Sequence, residues 1–306
     1  MSVRGTSRAQ HRAYGLLIDS DLALWDVADG IAVTTENPEQ RVEIRLLPEA
    51  PLLEGGAPIN LDAASSELCW PGIALLRVTA GTLIEVVPVP EASLASVRLA
   101  VAGAGLAVLL QQRGVLVLHA SSVQRRGKAL CFAGPSGVGK STIAGVLNAR
   151  NQPLVSDGMT AVEFARSGEL VVQAGPVGLK LWADSARALG FDEYRLGHAS
   201  PRASKLVVPL QRVPMAGPTP LDHVFVVDQQ GTPGVASLSP ASGLVALVRN
   251  AYLHDYCDRA SLVRIFQQCA QVARLVGVSA LHRGTLGDLQ NVCVELDEWF
   301  KSNRDG

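Results

Sequence analysis

The run Gly134-Pro135-Ser136-Gly137-Val138-Gly139-Lys140-Ser141-Thr142 carries the strongest chemical signal in the chain. Its glycines let the backbone approach a ligand closely, so that N–H groups can point inward at an anion. A helix beginning at the end of the run adds its positive end to the same place. Gly, Lys and Ser at this spacing form the phosphate-binding P-loop pattern, in which Lys140 neutralises the β- and γ-phosphates and Ser141 ligates magnesium. The flanks agree: residues 129–133 read as a buried strand and residues 143–149 as a helix. A plain glycine-rich turn ahead of a helix is the competing reading, and it leaves that agreement unexplained. The sequence therefore predicts a nucleotide-binding protein, with ATP and Mg2+ as cofactors and residues 134–142 as the binding loop.

A second apolar segment, residues 153–156, ends at Asp157. If it runs parallel to residues 129–133 in one sheet, both carboxyl ends share an edge, which is where open α/β sheets bind ligands. Topology alone then brings Asp157 to the γ-phosphate. A carboxylate there can ligate magnesium or accept a proton from an attacking hydroxyl. Ser156-Asp157-Gly158 is also a good turn sequence, so a structural Asp157 is the alternative. His119 ends the apolar run 115–118, where a lone histidine serves as a polar cap as readily as a catalytic group. His11, His198, His223, His254 and His282 have no partner at a diagnostic spacing. Lys180, Arg202 and Lys205 are basic candidates for contacting phosphate or substrate, each weighed against an ordinary solvated charge.

Positioning these groups takes an α/β architecture. Residues 1–90 lack a helical period and read as a smaller β-rich N-terminal domain, with strands at 14–18, 31–35, 41–47, 73–79 and 83–87. From residue 92 to 112 small and apolar residues recur at helical spacing, and Arg113-Gly114 closes the run. Residues 120–124 and 129–133 flank Arg125-Arg126-Gly127-Lys128, a hairpin turn. Later strands are expected at 206–208 and 223–227, and helices at 242–254, 261–275 and 288–301. Residues 91–306 then form the P-loop domain.

Composition narrows the partners. Lys and Arg number 27 against 28 Asp and Glu, with no basic block, so a nucleic-acid partner is not indicated. The cysteines, Cys69, Cys131, Cys257, Cys269 and Cys293, are scattered without metal-ligand spacing and read as buried, reduced thiols. The polar N-terminus is no signal peptide, and the apolar run 99–110 is too short to span a bilayer. A cytoplasmic enzyme without a membrane partner is the expectation.

Three pieces stand together at a distinctive spacing: Gln112-Arg113-Gly114-Val115-Leu116-Val117-Leu118-His119-Ala120-Ser121-Ser122-Val123, the P-loop, and Leu154-Val155-Ser156-Asp157. The stretch from Leu99 through Val162 thereby resembles the HPr kinase/phosphorylase family and its phosphoenolpyruvate-carboxykinase-like relatives. Further on, Gly178-Leu179-Lys180-Leu181-Trp182-Ala183-Asp184-Ser185 is similar to a segment of HPr-kinase-like proteins from peptide-modification gene clusters, some of which phosphorylate lasso-peptide precursors. The resemblance implies an HPr-kinase-like P-loop domain following the β-rich part. It gives Lys140 and Ser141 phosphate and magnesium duties, makes Asp157 the general base, and makes His119 a neighbour of the P-loop in the catalytic site. It also makes a homo-oligomer a natural assembly. Two features differ from the family pattern: Gly158 stands where a second acid is usual, and residues 173–180 occupy the place of the long glycine-rich signature loop.

The leading expectation is an ATP- and magnesium-dependent kinase acting on a hydroxyl of a peptide or small protein. Phosphoryl transfer asks mainly for positioning and charge neutralisation, which the P-loop, a metal and one base supply. A small-metabolite kinase, for serine as an example, would use the same machinery. A nucleotide-binding regulatory module without turnover is the third reading, and Gly158 keeps it in play.

Overall fold

The computed structural model describes residues 8–25, 40–49, 61–176, 178–191, 197–200, 203–208, 210 and 217–302. The expected strand at 31–35 and the basic candidate Arg202 lie outside the described residues. Strands β1 (Ala9–Ala13) and β2 (Leu16–Ser20) form a hairpin. Its turn, Tyr14-Gly15, has φ of 54° and 74°, which corrects the expected strand at 14–18: the left-handed backbone at Tyr14 ends one strand before the next begins. With β3 (Arg41–Leu46), β4 (Ser65–Trp70), β5 (Ala74–Thr79) and β6 (Leu83–Pro88) they make a six-stranded sheet in the order β1-β2-β3-β6-β5-β4. Ala80-Gly81 joins β5 to β6, as the sequence suggests. β4 escapes sequence reading because Ser-Ser-Glu-Leu-Cys-Trp holds no β-branched residue.

A continuous helix of 19 residues follows, built of α1 (Leu94–Ala100), a π-helical turn at Val101–Gly105 and α2 (Leu106–Gln112). Ser93 caps it by accepting from the Ser96 N–H. This helix is longer than the apolar run 99–110, and by length and composition it is long and apolar enough to cross a membrane. Its apolarity has another use here, because 61% of the relevant window is buried inside the protein. Val101, Leu106 and Leu109 pack in one core with Ile44, Leu76 and Ile84 of the six-stranded sheet, and that core reaches on to Val117 and Ala161.

The remaining chain builds a nine-stranded sheet. β7 (Leu116–Leu118) precedes the hairpin of β8 (Ala120–Arg125) and β9 (Lys128–Ala133), whose two-residue turn is Arg126-Gly127 with φ of 50° and 83°. Then come α3 (Lys140–Ala149), β10 (Leu154–Ser156), β11 (Thr160–Phe164) and β12 (Leu170–Gln173). β13 (Leu179–Trp182), α4 (Ala183–Ala188), β14 (Gly197–Ser200) and β15 (Ala203–Val208) contribute a separate three-stranded sheet in the order β13-β15-β14. β16 (Thr219–Asp228), β17 (Gly234–Ser237), α5 (Pro240–Arg249), α6 (Arg259–Leu275), β18 (Gly277–His282) and α7 (Leu289–Ser302) complete the described elements. The helix expected at 242–254 stops at Arg249, and Leu253 adopts φ of 56°.

The main sheet runs β10-β8-β9-β16-β12-β11-β7, with β18 on β16 and β17 on β18. β9, β16 and β18 are parallel. β10 is antiparallel to β8, which is antiparallel to β9, so β10 runs parallel to β9 with β8 between them. The ends of β9, β10, β16 and β18 and the start of β8 therefore share one edge. α3, α7 and the three-stranded sheet cover one face, and α5 and α6 the other.

Phe132 of β9 and Phe225 of β16 face each other in register, fully buried, with stacked rings 5.5 Å apart. This pair stiffens the strand that carries the P-loop. Truncating such a ring removes its burial and leaves a cavity, so Phe225→Ala should lower unfolding free energy by about 3–5 kcal/mol. Urea denaturation checks this, and a loss below about 1 kcal/mol would contradict the packing described.

Candidate functional site

The P-loop spans the gap between β9 and α3 and is shaped by positions only glycine fills. Gly134 has φ of 159°, and a Cβ there would lie 2.9 Å from the Val227 carbonyl oxygen. Gly139 has φ of 104°, and a Cβ there would collide with the Arg283 guanidinium. Gly139 is also the N-cap of α3, and no side chain caps that end. The first N–H groups of the helix are thus left for a ligand, and their partial positive charge favours an anion.

The loop is tied down from behind. The Gly134 N–H donates to the His119 carbonyl at 3.3 Å, Gln229 Nε2 donates to the Gly137 carbonyl at 3.1 Å, and Arg283 Nε donates to the Val138 carbonyl at 2.6 Å. Lys140 is buried and folds back onto its own loop, with Nζ donating to the carbonyls of Gly134 and Pro135 at 2.8 Å each. Burial, with the like charge of Lys205 behind it, pulls its ammonium down to about 8, against the attraction of Asp157. Pro135, Ser136 and Val138 complete the loop, and the Thr142 hydroxyl donates to Ser185 Oγ at 3.1 Å, tying α3 to α4.

Asp157 follows β10 on the same edge, as the topology requires. One carboxylate oxygen accepts from Ser121 Oγ at 2.7 Å and the other from the Lys180 backbone N–H at 2.9 Å. Both oxygens keep a further lone pair, so a fixed carboxylate remains free to take a proton or a metal. The next residue, Gly158, has φ of 76° and a Cβ there would meet nothing within 4 Å. The left-handed turn explains a glycine at this position, and the space it leaves belongs to the cleft. Beneath the carboxylate, Ser122, Ser156 and Thr160 form a buried chain of hydroxyls at 2.7 Å and 2.8 Å.

His119 anchors the same edge through its backbone, donating its N–H to the Asn250 carbonyl at 2.8 Å. Its ring meets Tyr252 edge-on at 5.9 Å. Burial first, then the charges of Lys140 and Lys205, push the imidazole down to about 4 against the pull of Asp157. The ring is therefore neutral at pH 7. Lys180 is likewise lowered, by burial and then by Lys205, with Asp157 opposing.

A cleft of about 210 Å3 lies between the P-loop and the three-stranded sheet, lined by His119, Ser136 to Gly137, Gly139 to Thr142, Gly158, Lys180, Lys205 and Arg283 among others. His119, most of the P-loop, Lys180 and Lys205 thus meet at one place, while Asp157 is not on the cleft lining itself but stands directly behind it, next to Gly158 and bonded to the Lys180 N–H. The donor set suits one magnesium ion: Ser141 and Asp157 with phosphate oxygens and water is the usual Mg2+ arrangement. No group of three or more His, Cys, Asp or Glu residues is assembled for a metal among the described residues. The cysteines hold no disulfide, and Cys69 and Cys257 are only partly buried, which corrects the expectation that all five are core thiols.

Sequence reading missed Ser121, Arg283 and Tyr14. Ser121 had a signal, since it lies two residues after His119 along an extended stretch and so on the same side. Arg283 follows β18, a strand not expected from sequence; it is 6% exposed and its Nη1 has no hydrogen-bond partner. Tyr14 reaches across from the six-stranded sheet: its N–H donates to the Ala174 carbonyl at 2.7 Å, and its ring packs against Gly175. Burial raises its phenol well above the usual range, and the charge of Asp157 adds to this.

No protein-family model matches the chain, and no curated protein matches it significantly. Among solved structures it is similar to the Hpr(Ser) kinase/phosphatase from Coxiella burnetii, at 10% identity and a TM-score of 0.32, over 62% of this chain and 99% of that one. Residue chemistry at the sheet edge, rather than this likeness, bears on function.

Imidazoles whose charged form burial disfavours make stability depend on pH, and His119 and His223 are the most strongly shifted. Burial holds both His119 and His223 down at about 4, against an ordinary value of 6.5. Between those values the unfolded chain binds more protons, so this stability is complete above 6.5 and is lost as pH falls towards 4. Thermal melts should show Tm falling progressively across that window, with a shallower fall in His223→Gln. A flat wild-type profile over the same range contradicts neutral burial of these rings.

Proposed function

We propose that the chain is an ATP- and magnesium-dependent phosphotransferase of HPr-kinase-like type, transferring the γ-phosphoryl group to a hydroxyl of a peptide or small protein. A precursor peptide of the lasso class is one such acceptor. The observation that carries the reading is the meeting, on one sheet edge, of an uncapped helix N-terminus behind a P-loop and a carboxylate whose two oxygens are both held by donors. An acidic residue at a P-loop cleft, fixed but with lone pairs to spare, suits proton removal from an attacking hydroxyl.

In this mechanism the loop N–H groups and Lys140 hold the β- and γ-phosphates, and Lys140 leaves its two loop carbonyls to do so. Ser141 and Asp157 would hold the magnesium ion, which supplies charge neutralisation on the phosphates when bound. Asp157 accepts the proton of the acceptor hydroxyl while that oxygen bonds to the γ-phosphorus and ADP departs. Ser121 and the Lys180 N–H keep the carboxylate turned to that task. His119, neutral, borders the cleft and secures the start of the loop through its carbonyl. The N-terminal β-rich domain, residues 1–90, supports this site and residues 91–306 carry the transfer. A nucleotide-binding module without turnover is the second reading, favoured by the single acid at Asp157-Gly158.

ATP binding with no turnover on any acceptor would favour the second reading, and Asp157→Asn tests the role given to the carboxylate in the first. Positioned bases contribute about a hundredfold or more, so single-turnover transfer should fall by that order while ATP affinity stays nearly intact. Full turnover in a folded Asp157→Asn protein would remove Asp157 as the base, and a mere drop in Tm at unchanged rate would make it a turn residue.

Lys140 supplies a second test. In the free protein its ammonium is pulled down to about 8. A polyphosphate beside it favours the charged form and raises that value, so binding takes up protons around this pH. ATP affinity should therefore be flat below pH 8 and decline as pH rises through it, an effect absent in Lys140→Met. Calorimetric titrations in buffers of different ionisation heat detect the uptake; no proton uptake near pH 8 argues against phosphate contact by Lys140.

A further inference from the structure

The cleft is lined by Lys140, Lys180, Lys205 and Arg283. None of these side chains forms an ion pair with a carboxylate among the described residues. Asp184, the acid on the cleft wall, is already answered by Arg187 at 3.1 Å. Asp157, held by Ser121 and the Lys180 N–H, is the one carboxylate whose charge opposes Lys140 and Lys180, one acid against four cations. Lys205 Nζ rests 5.4 Å from the centre of the Trp182 ring, a cation–π contact that stands in for an anionic partner. Arg283 is buried with Nη1 unpartnered, a donor without an acceptor in a cleft wall. Four cations with no carboxylate ion pair among the described residues repel one another in a partly desolvated space, and an entering polyanion relieves that repulsion.

The metal side of the same cleft offers one held carboxylate, the lower end of the usual Mg2+ arrangement. Magnesium in a phosphate site relies on one or two carboxylates to offset its charge and on phosphate oxygens for the rest. Among the described residues the loop offers Ser141 with Asp157 behind it, Asp184 on the wall is paired with Arg187, and no group of three His, Cys, Asp or Glu is assembled. Fixed positive charge thus outweighs metal-binding capacity. Resting on the nucleotide-binding reading above, we propose that this cleft holds the triphosphate of its nucleotide without a divalent cation, with Lys180 and Lys205 supplying the neutralisation that the metal would otherwise bring. Magnesium then serves the transfer step and not the binding step.

Trp182 is 43% exposed on the cleft wall beside Lys205, so the change in emission between the wild type and Trp182→Phe, which keeps the other three tryptophans, reports on the event. The experiment titrates the full chain with ATP, once with magnesium and once in excess chelator, by calorimetry and by tryptophan emission. The expected dissociation constants in the two conditions differ by less than tenfold. Lys180→Met and Lys205→Met keep the apolar stems and should each weaken metal-free binding by tenfold or more, while magnesium restores part of the loss. A wild-type loss of tenfold or more on chelation overturns the proposal, whatever the variants do. So does unchanged metal-free affinity in both variants, once melts show them folded; the lysines would then face the acceptor. Binding with magnesium alone sinks this inference and leaves the nucleotide reading standing, whereas no binding in either condition ends both.

Discussion

The open N-terminus of α3 is the constraint around which the rest of the site is arranged. A helix start needs partners for its first N–H groups, and here Gly139 provides no side chain to supply one. Such an end is stable in a folded protein only where something else holds its geometry. The surrounding structure does this through carbonyl contacts: His119 N-terminal to the hairpin, Gln229 after β16 and Arg283 after β18 each fix a different point of the loop. Three segments distant in sequence therefore converge on one loop, and the parallel β9, β16 and β18 bring them there.

Charge is the second organising feature. The edge collects basic side chains faster than acidic ones, and burial makes their repulsion felt. Lys140 is drawn down to about 8 and His119 to about 4, both chiefly by desolvation and then by neighbouring lysines. Asp157 is the opposing charge to each. A folded state that tolerates this crowding is poised for an anionic ligand, since every added negative charge lowers the electrostatic cost of the fold.

The six-stranded sheet is not a remote appendage to this edge. Its β1–β2 turn puts Tyr14 in a left-handed conformation, an uncommon backbone for an aromatic residue. The strain is offset by a backbone hydrogen bond to Ala174 and by burial of the ring against Gly175, beside Ser156. The long apolar helix Leu94–Gln112 completes the connection, packing with the sheet and with β7 and β11 in a single core.

What the sequence by itself determined is whatever depends on neighbours along the chain. The P-loop, its flanking strand and helix, the hairpin ahead of it and the placing of Asp157 after an apolar strand all follow from local pattern and a short crossover, and each stands in the structure where the pattern puts it. Strands built from weak β-formers, such as β4, and strands used only as partners, such as β18, left no local trace. Tyr14 reads as strand from its neighbours, whereas the turn there depends on a left-handed backbone that composition does not announce. Tertiary structure alone decided which donors hold Asp157, because Ser121 and the Lys180 N–H reach it across 36 and 23 residues of chain. It alone brought Arg283 to the P-loop, 145 residues from Val138. Those contacts are set by strand order and register, and a sequence encodes register only through the packing of the whole core.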